Sequence, residues 1–520
     1  MGEDIRLKSL NVLTIPALIK LQAENLSSKA ALISDAETLS FADLDNLSTN
    51  IATHLILLGL LPGDRAAIWA PNMNEWVLAA IAIHKAGGVL VPINTRMKGK
   101  EAAYILNNSE AKLLFSVKTF LGTDYFELLE NEELPHLQHQ ISLDESESKE
   151  FSQSFKDIKK QALDVQLPEV SETDMADIIF TSGTTGKPKG VISSHLQNIK
   201  VFDYWSNYIG LNKKDQYLVV NPFFHTFGYK AGWLASIMRG ATAYPCPVFD
   251  ADKIIKIINE HKISMLPGPP TLYQSILTSQ LIDALDISSL RLAVTGAASI
   301  PVQLIKDMKE RLGFETVITA YGLTESTGVV TMCSPYDDYE TIATTSGCAI
   351  ADVEVKCINQ DNQEVPIGEP GEILVRGYNV TEGYFNNPEA TKETIDTEGW
   401  LHTGDIGILD QNGYIKITDR SKDMFIVGGF NAYPAEIENI LCDHPSISQV
   451  AVIGIADERM GEVAKAFVVL KPNHALQEDT LAKWSKENMA NYKVPREIEF
   501  VETLPTNAAG KVMKYILKES

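Results

Sequence analysis

The stretch Ile178-Ile179-Phe180-Thr181-Ser182-Gly183-Thr184-Thr185-Gly186-Lys187-Pro188-Lys189-Gly190-Val191-Ile192 decides how this chain of 520 residues is organised. An apolar, β-prone run enters the polar segment and another leaves it, which predicts a tight loop at the end of strands. Glycines let backbone N–H groups close around an anion, while hydroxyls and lysines add donors and positive charge. The segment is therefore predicted to bind phosphate.

The phosphate loop of P-loop nucleotidases is excluded for this segment. That motif spaces its glycines more widely and follows its lysine with serine or threonine. Here two residues separate Gly183 from Gly186, and Pro188 follows Lys187. Two interpretations of the segment are left. It is either a different phosphate-binding loop or an ordinary surface hairpin rich in glycine and threonine.

Composition indicates a globular protein with more than one domain, because 45% of the residues are hydrophobic, 22% are charged and the chain is long. The net charge of -23 argues against general nucleic-acid binding and also opposes anionic ligands at long range. A nucleotide site in this chain must therefore supply its own lysines and arginines.

The cysteines and the apolar runs indicate a cytoplasmic protein. The 5 cysteines are dispersed and not spaced like a metal site, as expected for reduced thiols. The longest apolar runs are too short to span a bilayer, and the acidic start of the chain does not resemble a secretory leader. A homodimer is compatible with the sequence, which does not decide the oligomeric state.

Strands and helices are predicted to alternate in the first part of the chain. Residues 44–55 and 75–86 have apolar side chains at helical spacing, whereas 65–69 and 89–93 form short apolar runs typical of strands. This β-α-β alternation is typical of a layered α/β domain. Residues 145–160 are polar and charged, which predicts a solvated loop.

Further units in which a strand ends in a loop are predicted at 217–230, 263–270, 290–299 and 317–325. In the first of them His225 lies among aromatic residues, which suits the wall of an apolar pocket but is also common for a packed core histidine. In the last, Tyr321 can stack on adenine, Thr324 can bond a phosphate and Glu325 can hold Mg²⁺. An ordinary turn is the alternative for this segment.

The last third of the chain is predicted to contain a small β subdomain and then a separate small domain. Residues 368–420 show the short, turn-rich alternation of antiparallel strands. Asp405 could accept hydrogen bonds from both ribose hydroxyls, and Arg420 could contact ribose or phosphate, although both could be surface turn residues. Residues 421–423 lack apolar side chains and suit a hinge, and strands and helices alternate after them.

Five motifs in this order resemble the adenylate-forming superfamily of acyl-CoA synthetases, luciferases and peptide-synthetase adenylation domains, and the resemblance covers roughly residues 10 to 515. The motifs are the loop at 181–190, the turn Tyr321-Gly322-Leu323-Thr324-Glu325, Thr403-Gly404-Asp405, Asp419-Arg420 and Gly510-Lys511. The segment from Ile426 to Glu436 is similar to the part of acyl-CoA synthetases over which the pantetheine arm passes. Luciferases carry a lysine where Ile426 stands, so light-emitting oxidation is not expected.

The resemblance implies an α/β fold with three domain-level parts. These are a large N-terminal AMP-binding domain at residues 1–420, made of layered α/β subdomains and a small β-barrel-like subdomain, a hinge at 421–422 that includes Lys422, and a small mobile α+β domain at 423–520. ATP, Mg²⁺ and coenzyme A are the implied cofactors and co-substrates. A carboxylic acid is the implied small-molecule substrate.

The resemblance also assigns residues to these ligands. ATP or AMP would be bound by Thr181, Ser182, Gly183, Thr184, Thr185, Gly186, Lys187, Lys189, Gly296, Ala297, Ala298, Thr319, Ala320, Tyr321, Gly322, Thr324, Asp405, Ile417, Arg420 and Lys511. The acyl group would contact His225, Phe227, Tyr229, Lys230, Trp233, Gly296, Leu323 and Gly328. Catalytic roles fall to Lys511, Thr184, Glu325 and His225, with Mg²⁺ on Glu325 and coenzyme A on Gly428, Gly429 and Phe430.

The acid itself is left open between a medium or long fatty chain and a cyclic propanoate derived from steroid rings. The segments 221–232 and 266–275 look most like synthetases for the cyclic propanoate, although pocket residues change freely on one fold. Two other functions compete. The chain could load a separate carrier protein instead of coenzyme A, or it could be a non-catalytic nucleotide-binding homologue.

Overall fold

The computed structural model describes residues 12–144, 153–182, 187–296, 300–420, 424–471, 474–505 and 512–518. Several predicted site residues lie outside these ranges, namely Gly183, Thr184, Thr185, Gly186, Ala297, Ala298, Lys422 and Lys511. Their roles stay predictions from the sequence.

The strands of the large domain are β1 (Ala30–Ile33), β2 (Thr38–Ser40), β3 (Arg65–Trp69), β4 (Val89–Pro92), β5 (Leu113–Ser116), β6 (Thr119–Phe120), β7 (Thr123–Asp124), β8 (His139–Ser142), β9 (Gln153–Ser154), β10 (Met175–Ser182), β11 (Pro188–Ser194), β12 (Gln216–Val219), β13 (Thr242–Pro245), β14 (Leu292–Thr295), β15 (Thr316–Tyr321), β16 (Thr331–Met332), β17 (Cys348–Ala349), β18 (Val353–Ile358), β19 (Pro370–Gly377), β20 (Leu401–Leu409) and β21 (Ile415–Arg420). The strands that follow are β22 (Phe425–Val427), β23 (Phe430–Ala432), β24 (Ile447–Asp457), β25 (Gly461–Leu470) and β26 (Glu497–Phe500).

The helices are α1 (Ile15–Leu26), α2 (Phe41–Leu57), α3 (Asn74–Lys85), α4 (Gly99–Asn108), α5 (Tyr125–Leu129), α6 (Phe155–Lys160), α7 (His195–Tyr208), α8 (Thr226–Gly228), α9 (Ala235–Arg239), α10 (Ala251–His261), α11 (Pro270–Leu277), α12 (Val302–Glu310), α13 (Tyr339–Thr344), α14 (Pro388–Thr394), α15 (Pro434–Cys442), α16 (Glu478–Asn488) and α17 (Lys514–Lys518). A π-helical segment, Tyr229–Leu234, joins α8 to α9, and a 3₁₀ turn at Thr324–Ser326 follows β15.

A seven-stranded sheet forms the first layer, in the order β11-β10-β4-β3-β5-β8-β9. Its strands run parallel except for β11, which pairs antiparallel with β10 as a hairpin. Strands β4 and β5 are buried along their whole length, as expected for parallel strands that helices cover on both faces. The predicted β-α-β alternation is therefore confirmed.

A second layer combines the sheet β12-β13-β1-β2 with the sheet β14-β15-β16-β17. Met265 connects them, because it bridges Tyr217 of β12 and Leu292 of β14. The prediction of a strand and loop over 263–270 holds only at this bridge, since Pro270 already begins α11. Proline suits the first turn of a helix, where a backbone N–H would have no partner within the helix.

The predicted solvated loop at 145–160 is wrong for its described part. Residues 153–154 extend the first sheet as β9 and α6 follows. Phe155 and Ile158 are three positions apart, so they share one helical face, and both are buried. A loop is predicted because the segment is rich in charged residues, although Phe155 and Ile158 have the spacing of a short amphipathic helix.

The predicted β subdomain is a four-stranded antiparallel sheet in the order β18-β19-β20-β21. The chain then enters a separate sheet, β23-β22-β25-β24, with β26 paired to β25. One hydrophobic core runs from Ile15 to Ile415 and a second from Phe425 to Val494. The two cores lie on either side of the predicted boundary at 421–422. Within the described ranges, none of the helices is both long and apolar enough to cross a membrane.

Candidate active site

The hairpin of β10 and β11 brings the two ends of the predicted phosphate loop together. Thr181 pairs with Lys189 and Ser182 with Pro188 across the hairpin. Because β10 runs parallel to β4, the hairpin ends at the carboxyl edge of the parallel strands, where α/β sheets bind ligands. The predicted phosphate-binding residues Thr181, Lys187 and Lys189 therefore lie at this edge, and Lys187 is exposed.

Glu325, the predicted Mg²⁺ ligand, is fixed by two hydroxyl groups. Its Oε1 accepts a hydrogen bond of 2.9 Å from the Tyr384 hydroxyl and a longer one of 3.4 Å from Thr181 Oγ1. Tyr384 also contacts the phosphate hairpin, because Lys189 Nζ lies 5.2 Å from the centre of its ring. Burial and the negative charge of Glu325 raise the pKa of Tyr384, so its hydroxyl stays a donor.

Sequence reasoning missed Tyr384. It follows Gly383 shortly before the helix start at Asn387-Pro388, a setting that reads as an ordinary turn. Only the bridge between Gly383–Phe385 and β11 brings its ring to the hairpin: Val191 pairs with Tyr384, and Phe385 N–H donates to Gly190 O. No local sequence signal indicates this long-range contact.

The structure joins the predicted adenine and ribose residues. The Tyr321 hydroxyl donates a hydrogen bond of 2.7 Å to Asp405 Oδ2. Asp405 lies on β20 opposite Arg420 of β21 in register. Tyr321 and Asp405 are both buried, so one hydrogen bond fixes the ring that would stack on a base and the carboxylate that would accept from a ribose.

The strand ends around Tyr321 approach one another closely. Thr295 pairs with Thr319 in the parallel strands β14 and β15, so Gly296 and Ala320 follow at the same edge. A Cβ on Gly322 would lie 2.3 Å from the carbonyl oxygen of Gly328, so only glycine fits there. Thr324 lies in the 3₁₀ turn after β15, next to Glu325. Ile417 lies on β21 opposite Gly407 and packs against the core.

The predicted role of Thr319 is corrected for its side chain. Its hydroxyl is buried and donates to the carbonyl oxygens of Ile342 and Thr345 at 3.0 and 3.1 Å. The side chain therefore ties β15 to α13 and its C-terminal end. A nucleotide contact at this position would come from the backbone.

Four of the residues predicted to contact the acyl group lie together near the turn before α8. His225 is exposed and Phe227 is half-buried, and Phe227 N–H donates to His225 Nδ1 at 3.2 Å. A Cβ on Gly328 would lie 2.3 Å from Thr226 Cγ2, so the turn at 324–328 packs directly on this segment. His225, Phe227, Leu323 and Gly328 are thus close to one another and to Glu325.

Lys230, Tyr229 and Trp233 belong to the interior instead, which corrects their prediction as acyl contacts. All three side chains are 0% exposed, so none borders open space. Lys230 Nζ lies 3.0 Å from Asp177 Oδ1 and donates to Ser193 Oγ at 2.8 Å. Burial lowers the pKa of Lys230, and the charge of Asp177 opposes this shift.

Tyr229 and Trp233 belong to a buried aromatic cluster that includes Trp76. Their rings stack with centroids 5.0 Å apart, and the Trp76 ring lies 6.2 Å from that of Trp233. Their spacing of four residues puts both on one helical face. The same periodicity is found in pocket walls and in cores, so the sequence could not distinguish them.

The predicted coenzyme A segment faces the large domain. The Phe430 ring stacks between Phe224 and Tyr492, with centroids 6.4 and 4.9 Å away. Gly428 and Gly429 have φ values of 56° and 89°, a region that favours glycine. A Cβ on Gly429 would lie 3.3 Å from Pro269 Cγ, so Gly429 allows close approach of the two domains.

The described residues hold no cluster of three or more histidine, cysteine or acidic side chains that could ligate a metal ion. Glu325 with its neighbouring hydroxyls suits Mg²⁺, which commonly uses one or two carboxylates together with substrate phosphates and water. The site therefore fits a metal that arrives with a nucleotide. It does not fit a preformed metal cage.

Comparisons with known proteins agree with this geometry. The chain is 44% identical over 518 residues to the "3-[(3aS,4S,7aS)-7a-methyl-1,5-dioxo-octahydro-1H-inden-4-yl]propanoyl:CoA ligase" of Rhodococcus jostii (strain RHA1), covering 97% of this chain and 98% of that one. Among solved structures, a double mutant of o-succinylbenzoate CoA synthetase from Bacillus subtilis bound with its product analogue is similar, at 29% identity with a TM-score of 0.84 over 97% of this chain and 98% of that chain.

The same Bacillus subtilis enzyme in complex with AMP gives a TM-score of only 0.68, again over 97% of this chain and 98% of that chain and at 29% identity. The arrangement of this chain is therefore more similar to the complex with the product analogue. The sequence models of the AMP-binding enzyme and of the AMP-binding enzyme C-terminal domain match residues 19–385 and 436–511. On this evidence from geometry, relatives and matched sequence, the chain belongs to the AMP-binding enzyme family and is an AMP-forming acyl-CoA ligase.

Proposed function

We propose that this ligase converts a ring-bearing propanoic acid, ATP and coenzyme A into the acyl-CoA, AMP and pyrophosphate, by way of an acyl-adenylate. The observation that carries the choice of acid is the 44% identity, over nearly the whole of both chains, to a ligase named for a bicyclic propanoyl group. A medium or long fatty chain is the second candidate, because the aromatic residues at 223–227 also suit a plain apolar chain.

In the first half-reaction the substrate carboxylate attacks the α-phosphorus of ATP and pyrophosphate leaves. A carboxylate is a poor acylating group, so the adenylate supplies the leaving group that the acid lacks. Lys187 and Lys189 would hold the departing pyrophosphate at the edge of the first sheet, together with Thr181, Ser182 and the loop 183–186. Lys511 would stabilise the negative charge that develops between carboxylate and phosphorus.

Glu325 would hold Mg²⁺, with Thr184 as a further predicted contact near the triphosphate. When bound, the metal would neutralise part of the triphosphate charge. The contribution of this chain is to keep Glu325 in place through Tyr384 and Thr181. This fixed position matters because the protein's net charge of -23 opposes the approach of ATP.

Nucleotide orientation would depend on the pair Tyr321 and Asp405. Tyr321 would stack on the adenine, while Asp405 and Arg420 would hold the ribose and the phosphate. The hydrogen bond between Tyr321 and Asp405 makes the two contacts interdependent. A base held by Tyr321 would thus be placed at a fixed distance from its ribose acceptor.

In the second half-reaction the thiol of coenzyme A attacks the acyl carbonyl and AMP leaves. The glycines Gly428 and Gly429 and the ring of Phe430 would form the wall along which the thiol-bearing arm reaches the adenylate. Their contact with Phe224 and Pro269 supports this proposal. Rotation about Lys422 would bring this face to the site in place of Lys511.

Two alternatives concern the acceptor and the presence of activity. A separate carrier protein could replace coenzyme A, and a non-catalytic homologue would bind nucleotide only.

The dispersed, unpaired cysteines suit a reducing compartment, so the enzyme would act in the cytoplasm. It would act as a monomer or a homodimer.

The test is a thioester screen with fatty, aromatic and cyclic propanoic acids, using free coenzyme A. We expect acyl-CoA and pyrophosphate in equal amounts, with the highest kcat/KM for cyclic propanoic acids. A preference for linear acids would refute the choice of acid but not the class of reaction. Absence of ATP–pyrophosphate exchange with every acid would refute adenylation itself.

A further inference from the structure

A lysine of the C-terminal domain is buried between two carboxylates that belong to different domains. Lys493 Nζ lies 2.6 Å from Glu101 Oε1 and 2.7 Å from Glu436 Oε1. Glu101 is on α4 of the large domain, whereas Glu436 is on α15 of the C-terminal domain. The side chains of Lys493, Glu101 and Glu436 are 1%, 9% and 5% exposed, so the ion triad has little contact with water.

Both carboxylates of the triad rely on Lys493 to balance their negative charge. Glu101 Oε2 already accepts the backbone N–H of Lys98 at 2.8 Å, which caps α4. Glu436 Oε2 is buried and has no hydrogen-bond partner among the residues that the structure describes. Burial alone would lower the pKa of Lys493, but Glu101 and Glu436 raise it well above its ordinary value. Lys493 therefore stays charged and is the counter-ion that both carboxylates share.

The triad lies beside a second contact between the domains, made by aromatic rings. Tyr492, the residue before Lys493, stacks on Phe430 at 4.9 Å, and Phe430 stacks on Phe224 of the large domain. The triad is thus made in the orientation that brings Gly428, Gly429 and Phe430 to the large domain. Rotation of the C-terminal domain would carry Lys493 and Glu436 away from Glu101 together.

We propose that Lys493 is a positioning residue for thioester formation, which holds the C-terminal domain in that orientation by pairing with Glu101 across the domain interface. This role deepens the proposed function and rests on it. A buried ion pair offsets its desolvation only when its geometry is good. The pair therefore stabilises one orientation and contributes nothing after rotation, when the separated charges regain water.

The first test compares Lys493→Met with Lys486→Met, which removes an exposed lysine from α16. Both half-reactions are measured with octanoic acid and 3-cyclohexylpropanoic acid: ATP–pyrophosphate exchange for adenylation, and acyl-CoA formation from the supplied acyl-adenylate for thiolysis. We expect Lys493→Met to slow thiolysis about 10- to 100-fold, because it leaves two carboxylates buried without a counter-ion. Adenylation should be unchanged, and Lys486→Met should behave like the wild type. Unchanged thiolysis, or equal loss of both half-reactions, would overturn the proposal.

A second variant shows whether Lys493 acts through Glu101. Glu101→Gln removes the charge but keeps an oxygen that can accept the Lys98 N–H, so α4 stays capped. We expect Glu101→Gln to slow thiolysis as well, and the double variant with Lys493→Met to be no slower than the slower single variant. Effects that multiply in the double variant would contradict a direct pair.

A measurement without substrate separates this proposal from the proposed function. A Cβ on Gly429 would lie 3.6 Å from Cβ of Pro269, which is within the range for a disulfide. Cysteine at position 429 strains the backbone, but equally with and without Lys493→Met, so the ratio of the two cross-linking rates reports on Lys493 alone. In Pro269→Cys/Gly429→Cys protein, Lys493→Met should slow the oxidative cross-link about tenfold. An equal rate would refute the proposed role of the Lys493–Glu101 pair even if no acid were activated. Inactivity of the wild type with every acid would refute only the proposed function.

Discussion

At the scale of single residues, the site depends on side chains held by partners from distant parts of the chain. Glu325 is fixed by Tyr384 and Thr181, and Tyr321 by Asp405. These bonds join residues that are between 59 and 144 positions apart. Pre-positioned carboxylates lower the reorganisation needed when a charged ligand binds.

Tyr384→Phe should weaken adenylation without unfolding the protein. It removes the hydroxyl that donates to Glu325 but keeps the ring beside Lys189. We expect ATP–pyrophosphate exchange to fall about tenfold, because a hydrogen bond to a charged group is lost, and the Mg²⁺ concentration for half-maximal rate to rise. Tyr414→Phe is the matched control, since it removes a tyrosine hydroxyl that donates to a different carboxylate, Asp337, at 2.7 Å. The same change in both variants would contradict a role at Glu325.

Lys230→Met should affect stability and leave the choice of acid unchanged. It leaves Asp177 buried without its counter-ion, and breaking a buried pair in this way costs about 3–5 kcal/mol. The free energy of unfolding, measured by denaturant titration, should fall by this amount, whereas Lys214→Met, at an exposed site, should have little effect. A Lys230→Met protein that is as stable as the wild type but prefers a different acid would instead support the prediction that Lys230 contacts the acyl group.

At the scale of elements, the turns at strand ends bring the described site residues together, and the sequence predicts one more charge from the C-terminal segment. The β10–β11 hairpin contacts the turn after β15 through Thr181 and Glu325, and that turn packs on the segment before α8 at Gly328 and Thr226. The segment around Lys511 follows β26 and precedes α17. Its sequence, Gly510-Lys511, predicts a lysine that can reach out of its own domain.

Lys511→Ala should lower the rate of adenylate formation by several orders of magnitude, because the lysine would neutralise charge that develops in the transition state. Thiolysis of supplied acyl-adenylate should stay largely intact. Lys514→Ala is the control, since the Lys514 ammonium lies 2.7 Å from Glu438 within the C-terminal domain. Rapid measurement of the two half-reactions in each variant gives the comparison. Equal loss of both half-reactions in Lys511→Ala would refute domain alternation.

At the scale of the whole molecule, two domains with separate cores meet at a face made of an ion triad and stacked rings. Because one end of this face is an ion triad, the face suits a reversible contact between domains.

Lys422→Pro should slow thiolysis selectively, because proline fixes φ at the proposed pivot. Lys422→Ala is the matched control, since it removes the same side chain but leaves the backbone free to rotate. We expect adenylation to stay near the wild-type rate in both variants. Thiolysis in Lys422→Pro equal to that in Lys422→Ala would place the pivot elsewhere.

Much of the fold was predictable from local patterns. Helical spacing at 44–55 and 75–86, short apolar runs at 65–69 and 89–93, and the polar hairpin at 181–189 correspond to α2, α3, β3, β4 and the β10–β11 turn. The prediction failed where long-range contacts decide the local structure. Phe155 and Ile158 form a helix because α2 and the first sheet cover them, and Met265 is a bridge because two sheets meet there.

The sequence by itself determined the class of chemistry, because the residues that bind phosphate, metal and nucleotide lie in short motifs with fixed spacing. Only the tertiary structure decided which polar side chains face a ligand and which serve as internal partners. Lys230 and Thr319 are buried against Asp177 and the 342–345 backbone, whereas Tyr384 and Lys493 gain their positions from distant segments. The physical reason is that burial and pairing depend on which distant parts of the chain pack together. The local periodicity of the sequence does not indicate these long-range contacts.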